Sequence, residues 1–136
     1  MGSIVFVDTS VIVAILATET GRQHFYRELG LADRRLTSAC VRLETSMVLG
    51  AKLDIPPDLA EVRYELFLRE AEITEVAMPP MIGPLAVGAF LRFGKGRHPA
   101  RLNFADCLAY ACAKAHGARL LYKGDDFSKA DVNDFV

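Results

Sequence analysis

The chain contains 136 residues, of which 51% are hydrophobic and 24% are charged, and its formal net charge is −1. This length and composition predict one globular domain over residues 1–136 with a sizeable core, and they exclude an intrinsically disordered chain. The small net charge excludes a uniformly basic nucleic-acid binder, so any site for a polyanion must be a local feature.

Hydropathy and cysteine content predict a cytoplasmic protein without a membrane segment. No apolar run reaches the roughly 18 residues that a membrane-spanning helix needs. The short N-terminal apolar run contains Asp8, and no basic segment and cleavage site of a signal peptide accompany it. Cys40, Cys107 and Cys112 are odd in number and lack metal-ligand spacing, which indicates buried thiols in a reducing compartment.

Strands and helices alternate along the chain. Ile4–Val7 is a continuous apolar run that predicts a strand buried on both faces, and Val11–Ala17 predicts a helix directly after it. The later segments predict, in order, a helix over Gly21–Leu29, a strand over Arg35–Thr37, a helix capped by Ser38 and ending near Gly50, a helix opened by Pro56-Pro57-Asp58, a strand over Ile73–Met78, helices over Met81–Phe93 and Asn103–His116, and a strand over Arg119–Tyr122. This order predicts an α/β fold with a mainly parallel sheet and helices on both faces.

Two acidic residues follow strands directly. Asp8 ends the first strand and Asp125 comes after the last one, so both are expected at the carboxyl edge of the sheet, where ligands bind in such folds. Each has a purely structural alternative. Asp8 is also a possible helix cap, and Asp125 and Asp126 stand in a Gly-Asp-Asp turn, where aspartate is common for local reasons. Asp126 is expected to order this turn.

Two further acidic residues lie in helices. Asp106 interrupts the apolar run that begins at Phe104, although Asn103 and Asp106 also have the spacing of a capping box. Glu44 has apolar neighbours, although a solvated helix face is the simpler interpretation of this residue alone. Several carboxylates in one cleft repel each other, and a hard divalent cation such as Mg²⁺ relieves that repulsion through oxygen ligands. Together the acids therefore indicate metal-assisted hydrolysis at a phosphoryl group.

Four segments carry a resemblance to a known family. Val7-Asp8-Thr9-Ser10, the Glu44 helix, Arg101–Cys107 (RLNFADC) and Leu120–Phe127 (LLYKGDDF) resemble, in order and spacing, the four motifs of a PIN domain. The resemblance covers essentially the whole chain and is strongest to the VapC-type toxins of bacterial type II toxin–antitoxin pairs. It implies a Rossmann-like three-layer sandwich with a mainly parallel central sheet. One departure is Ala105, where many relatives have glycine.

The resemblance also implies an activity and its residues. It implies a Mg²⁺-dependent ribonuclease, with Mn²⁺ as a possible substitute, whose acidic cluster is Asp8, Glu44, Asp106 and Asp125. In this hypothesis Asp8 and Asp106 bind the metal, and Glu44 and Asp125 orient water or hold a second ion. Ser10, Asn103 and Asp126 are the supporting polar residues, and either one or two metal ions fit the pattern.

A basic stretch precedes the Asp106 helix. No acid occurs between Val76 and Ala105, and this span leads into a Gly-rich loop. Its positive charges predict contacts to RNA phosphates, with an ordinary solvated loop as the alternative. The residues concerned are Arg92, Lys95, Arg97 and Arg101.

The family resemblance also implies binding partners, and three alternative functions stay open. The resemblance implies a cognate antitoxin, an RNA substrate and a homodimer, with a larger toxin–antitoxin assembly possible. The apolar segments Met81–Phe93 and Glu61–Leu68 are candidates for contact with either partner, or for plain core. The alternatives are a PIN-domain RNA-processing nuclease that is not a toxin, a non-catalytic interaction module, and a phosphoacceptor signalling domain, for which a second acid beside Asp8 is missing.

Overall fold

The structure, a computed structural model, describes residues 2–124 and 127–131 of the chain. Within these residues, β-strands and α-helices alternate much as the sequence predicts. The elements are β1 (Ile4–Val7), α1 (Thr9–Leu16), α2 (Arg22–Leu31), β2 (Arg34–Thr37), α3 (Ala39–Leu53), α4 (Pro57–Glu70), β3 (Ile73–Glu75), α5 (Ile82–Phe93), α6 (Phe104–Ala115), β4 (Arg119–Leu121) and a short 3₁₀ turn at Phe127–Lys129.

The four strands form one sheet in the order β3-β2-β1-β4, and all neighbouring strands are parallel. Phe6 in β1 is level with Leu36 in β2 on one side and with Leu120 in β4 on the other. The chain moves from β1 to β2 and β3 in one direction, and β4 then returns to the opposite side of β1. The direction of winding therefore changes between β1 and β4, and open α/β sheets bind ligands beside such a change.

Helices cover the sheet and complete the core. Helices α3 and α4 pack on each other, as do α5 and α6. The residues of β1 are almost wholly apolar because helices cover the strand, and Phe6 and Val7 are fully buried. On α6, Tyr110 and Cys112 enter the same core. This arrangement confirms the predicted three-layer α/β fold with a parallel central sheet.

The largest differences from the predicted element boundaries are at the ends of α3 and β3. Helix α3 continues past Gly50 to Leu53. The glycine serves close packing and does not end the helix, because a Cβ at this position would approach the carbonyl oxygen of Ile55 to 3.0 Å. The helix instead ends at Asp54, which takes the left-handed conformation with φ of 53°. Strand β3 stops at Glu75 rather than extending towards Met78.

The remaining general predictions concern membranes and thiols. In the described part of the chain, no helix combines the length and the apolar character needed to cross a bilayer. All three cysteines are free thiols; Cys107 and Cys112 are buried as predicted, whereas Cys40 is only partly buried. Burial raises the pKa of both of these thiols, so they are poor nucleophiles.

Candidate active site

An open pocket of about 390 Å³ lies at the carboxyl edge of the sheet, beside the ends of β1 and β4. Its walls come from five separate segments of the chain. The residues that line it are Asp8, Thr9, Ser10, Val13, Glu19, Glu44, Val48, Lys52, Asp106, Lys123 and Gly124. Three of the four acids that the sequence predicts to converge therefore surround one cavity.

Asp8 is the most buried acid of this pocket, with only 6% of its surface exposed. Its Oδ2 accepts hydrogen bonds from the Ser10 backbone N–H at 3.0 Å and from the Ser10 hydroxyl at 2.5 Å. Asp8 thus caps α1, as the structural alternative proposed. Its position is fixed as well by the backbone, because its N–H donates to the Leu121 carbonyl of β4 at 3.0 Å.

The electrostatic setting of Asp8 is unfavourable for a negative charge. Loss of hydration on burial raises the pKa of the Asp8 carboxyl to about 6, against the opposing effect of the two Ser10 hydrogen bonds. The negative charge of Glu44 raises this pKa further. A cation bound in the pocket would relieve this repulsion.

Glu44 reaches the pocket from the middle of α3. It is partly buried, and Val48 and Lys52 follow it at four-residue spacing, so the three side chains form one wall. The apolar neighbours of Glu44 in the sequence differ in burial. Leu49 is fully buried and Val48 lines the pocket, as expected for a face that is not fully solvated, whereas Leu43 is 64% exposed and lies on the outer surface of α3.

Asp106 enters the pocket from the first turn of α6. Its Oδ2 accepts a hydrogen bond from the Asn103 backbone N–H at 3.0 Å, and its own N–H donates to the Asn103 Oδ1 at 2.9 Å. The capping box predicted as a structural alternative is therefore present. Because the box turns the carboxylate back over the start of the helix, the same geometry brings Asp106 to the pocket wall.

The donor set can be tested against a metal ion. Asp8, Glu44 and Asp106 supply carboxylate oxygens, which suit a hard divalent cation. Thr9, which also lines the pocket, has a buried hydroxyl without a hydrogen-bond partner in the described part of the chain. No group of three or more His, Cys, Asp or Glu side chains within residues 2–124 and 127–131 is already arranged around a metal position. The residues fit a cation in their chemistry, and helix caps hold the carboxylates of Asp8 and Asp106.

Two lysines and a glutamate form a second charged group in this pocket, which the sequence reasoning missed. Glu19 Oε2 accepts from Lys52 Nζ, and its Oε1 accepts from Lys123 Nζ at 2.9 Å. These two bonds lower the pKa of the Glu19 carboxyl. Signals for both lysines were present in the sequence. Lys52 shares a helix face with Glu44, and Lys123 follows β4 as Asp8 follows β1.

The other predicted site residues are two acids and four basic residues. Asp125 and Asp126 are outside the described residues. The basic residues predicted to contact RNA do not line the pocket. Arg92 forms an ion pair with Asp131 at 3.0 Å, and the Arg97 guanidinium lies 5.4 Å from the centre of the Phe90 ring. Lys95 and Arg101 are exposed.

The chain matches one family model and is similar to several known ribonucleases. The family model for the PIN domain matches residues 5–133. The chain is 40% identical to a VapC ribonuclease of Rhizobium meliloti (strain 1021), with 93% of this chain and 98% of the relative covered. It is 36% identical to the ribonuclease VapC30 of Mycobacterium tuberculosis (strain H37Rv), with coverage of 93% and 94%.

A solved structure is similar in fold. The crystal structure of Mycobacterium tuberculosis VapC20, described as a toxin that cleaves the sarcin-ricin loop, superimposes with a TM-score of 0.70 at 22% identity. The match covers 93% of this chain and 94% of that one. At this identity the likeness concerns the fold.

Proposed function

The chain belongs to the PIN domain family, as a VapC-type ribonuclease toxin of a toxin–antitoxin pair, and we propose that its chemistry takes place in the pocket of Asp8, Glu44 and Asp106. Asp125 is proposed as the fourth acid. Nucleases of this family generally depend on a metal ion, and we propose Mg²⁺, with Mn²⁺ as a substitute, because oxygen ligands suit both.

One observation supports this proposal above the others. Three carboxylates from three distant segments line a single pocket beside the β1–β4 switch, and one of them is almost completely buried. Buried like charges are unfavourable unless a counter-charge compensates them. A protein without a use for a cation would gain stability by replacing Asp8 with a neutral residue, so its presence here supports a role in binding one.

The proposed roles follow from how each side chain is held. Asp8 and Asp106 would hold the metal, which when bound makes water a better nucleophile and neutralises charge on the phosphate. Glu44 and Asp125 orient the attacking water. Ser10 fixes the Asp8 carboxylate and Asn103 fixes that of Asp106, while Asp126 is proposed to order its turn. In-line attack by water breaks the bond from phosphorus to the 3′ oxygen, which leaves a 5′-phosphate and a 3′-hydroxyl.

RNA contacts outside the pocket are proposed for the basic loop. Lys95, Arg97 and Arg101 are exposed, and a chain segment with this charge suits phosphate contacts. Arg92 is proposed only as a minor contact because it is already paired with Asp131. We further propose that the protein acts in the cytoplasm, where its RNA substrate is present.

A toxin of this type has a cognate antitoxin, and we propose that the chain also forms a homodimer, alone or in a larger toxin–antitoxin assembly. Apolar side chains on two helices support this proposal. Val87 and Leu91 on α5 are 69% and 65% exposed, and Val62 and Leu66 on α4 are 53% and 52% exposed. A mass measurement on the full chain in solution distinguishes a dimer from a monomer.

The test of the proposed function is cleavage of total cellular RNA, with fragment ends mapped by sequencing. The wild-type chain is expected to cleave with Mg²⁺, to stop in EDTA, and to leave 5′-phosphate ends. Asp106→Asn is expected to abolish cleavage, and also the growth arrest that induction of the wild-type chain causes in a bacterial host.

Asp58→Asn is the matched control, because Asp58 is also an acid in the first turn of a helix but is exposed and outside the pocket. This variant is expected to cleave like the wild type. Cleavage that continues in EDTA, or that survives Asp106→Asn, would refute the proposal. Growth arrest that survives Asp106→Asn would separate toxicity from this site.

A further inference from the structure

We propose that Lys52 and Lys123, held side by side by Glu19, bind a backbone phosphate of the RNA that flanks the scissile bond. This inference rests on the proposed function and names the residues that would hold the substrate in the same pocket. We refer to Glu19, Lys52 and Lys123 as the lysine clamp.

The lysine clamp is built from three distant parts of the chain. Glu19 follows α1, Lys52 lies in the last turn of α3, and Lys123 follows β4. One carboxylate joins the two ammonium groups, since each Glu19 oxygen accepts from a different lysine. Without this shared carboxylate, two like charges in one pocket would repel each other and separate.

The two lysines retain capacity for another anion. An ammonium group has three donors, and each lysine gives one to Glu19 in the clamp. The Lys52 and Lys123 side chains are 49% and 37% exposed, whereas Glu19 is 22% exposed. The carboxylate therefore lies deeper, and the clamp keeps a formal charge of +1 facing the pocket.

The clamp is connected directly to the acidic part of the pocket. The Lys123 backbone N–H donates to the Ser10 hydroxyl at 2.9 Å, and this hydroxyl donates to Asp8 Oδ2 at 2.5 Å. A single hydroxyl group thus links Lys123 to Asp8. Lys52 lies two helical turns beyond Glu44 on α3, about 12 Å along the axis. The positive charges therefore lie beside the carboxylates in the same pocket, where a phosphate next to the scissile one can reach them.

A different role for these lysines is to compensate the acids of the metal-free pocket. In that case their loss would lower the stability of the protein and change its metal affinity, without a change in RNA affinity. The pairing favours phosphate binding, because both lysines are paired with Glu19, and no ion pair within the described residues joins either lysine to Asp8 or Glu44.

The experiment measures binding of a fluorescein-labelled single-stranded RNA of mixed sequence to the full chain in EDTA, by fluorescence anisotropy at several salt concentrations. EDTA keeps the RNA intact, so the result does not depend on which residues perform the cleavage. Lys52→Ala and Lys123→Ala are each expected to weaken binding by about 3- to 10-fold. Each is also expected to reduce the slope of log affinity against log salt by about 0.7, the contribution of one phosphate contact in a single strand.

Three controls make the result specific. Lys52→Arg keeps the charge and is expected to retain most of the affinity. Lys114→Ala removes an exposed lysine of α6 outside the pocket and is expected to bind like the wild type. Melting temperatures of all variants in EDTA identify any effect that comes from loss of folding.

Unchanged RNA affinity in both alanine variants would overturn the inference and leave the proposed nuclease site untouched. A lower melting temperature with unchanged RNA affinity would overturn it too, in favour of charge compensation. Equal weakening by Lys114→Ala would show a general charge effect and would have the same consequence. Failure of the nuclease proposal appears separately, as cleavage that persists in EDTA or in Asp106→Asn.

Discussion

Two positively charged regions of this molecule are built in opposite ways. The loop between α5 and α6 carries Lys95, Arg97 and Arg101 close together in sequence, and these residues are exposed. The lysine clamp brings Lys52 and Lys123 together from distant positions and fixes them on Glu19 inside the pocket. Charge density along the chain therefore points to the region that we propose attracts RNA, whereas convergence in space points to the region that we propose holds RNA beside the reacting bond.

The comparison predicts that a change in the pocket affects cleavage far more than a change in the loop. The largest effect is expected for Asp8→Asn, because it replaces a buried carboxylate that we propose as a metal ligand. Cleavage by this variant with Mg²⁺ should fall by more than about 100-fold, since even residues that only support metal ligands contribute 10- to 100-fold. Rates from single-turnover assays on labelled RNA give the measurement. If the cleavage rate of Asp8→Asn fell less than that of a loop variant, the pocket would not be the more important of the two regions for cleavage.

The same substitution is expected to stabilise the metal-free protein. The Asp8 pKa is about 6 in the folded chain and 3.8 without perturbation, so the folded state holds the proton more tightly. The contribution of Asp8 to the stability of the wild type therefore decreases as the pH rises from about 4 through 6 and is constant above that range. Because Asp8→Asn removes this loss, the free energy of unfolding of the variant is expected to exceed that of the wild type by about 3 kcal/mol above pH 6. This difference should disappear towards pH 4.

Thermal unfolding in EDTA at pH 4.5 and pH 7.5 measures this gain. Asp58→Asn serves as the control because Asp58 is exposed. Equal melting temperatures for Asp8→Asn and the wild type at pH 7.5 would show that the ionised Asp8 carboxylate does not destabilise the folded chain.

Ser10→Ala is expected to have an intermediate effect. The Ser10 hydroxyl orients Asp8 and accepts from the Lys123 backbone, so its loss disturbs both the acids and the clamp. Cleavage should fall by about 10- to 100-fold, the range for residues that orient metal ligands. Ser46→Ala, which removes another hydroxyl that bonds within its own helix, should cleave normally. Full activity of Ser10→Ala would show that the backbone alone positions Asp8.

The smallest effect is expected for Arg97→Ala in the loop. Arg97 is exposed and lies over the Phe90 ring, so we expect a loss of RNA affinity of about 3-fold or less, greatest at low salt. The cleavage rate of bound RNA should not change. Anisotropy titration and single-turnover rates distinguish the two quantities. A reduced rate for bound RNA would assign the loop a part in the reaction.

The fold was predictable because its signals are local. The apolar run Ile4–Val7, the cap at Ser38 and the Asn103–Asp106 spacing each determine an element from neighbouring residues. The end of α3 was missed because Gly50 is needed for contact with Ile55, and a contact between segments is not visible as a local pattern.

The site was predictable only in part, for the same physical reason. Asp8 and Asp106 stand out because each interrupts or ends an apolar run, and both line the pocket. Glu44 was selected with the aid of a family resemblance, since its apolar neighbours differ in burial: Leu49 is fully buried, whereas Leu43 is 64% exposed. The lysine clamp depends on a shared partner, Glu19, which is distant from both lysines in sequence. Such a partnership becomes visible only when the chain is folded.

The capping box of α6 has an evolutionary consequence. Asp106 lies in the pocket and also fastens the start of its helix, whereas Asp8 adds a charge that the folded chain tolerates poorly. If Asp8 and Asp106 act as we propose, then in bacteria selected to survive the unneutralised toxin a neutral side chain at position 8 inactivates a protein that stays well folded. A side chain at position 106 that cannot accept the Asn103 bond disarms it and frays the helix as well. Escape alleles that leave abundant, inert toxin to occupy the antitoxin should therefore arise more often at position 8.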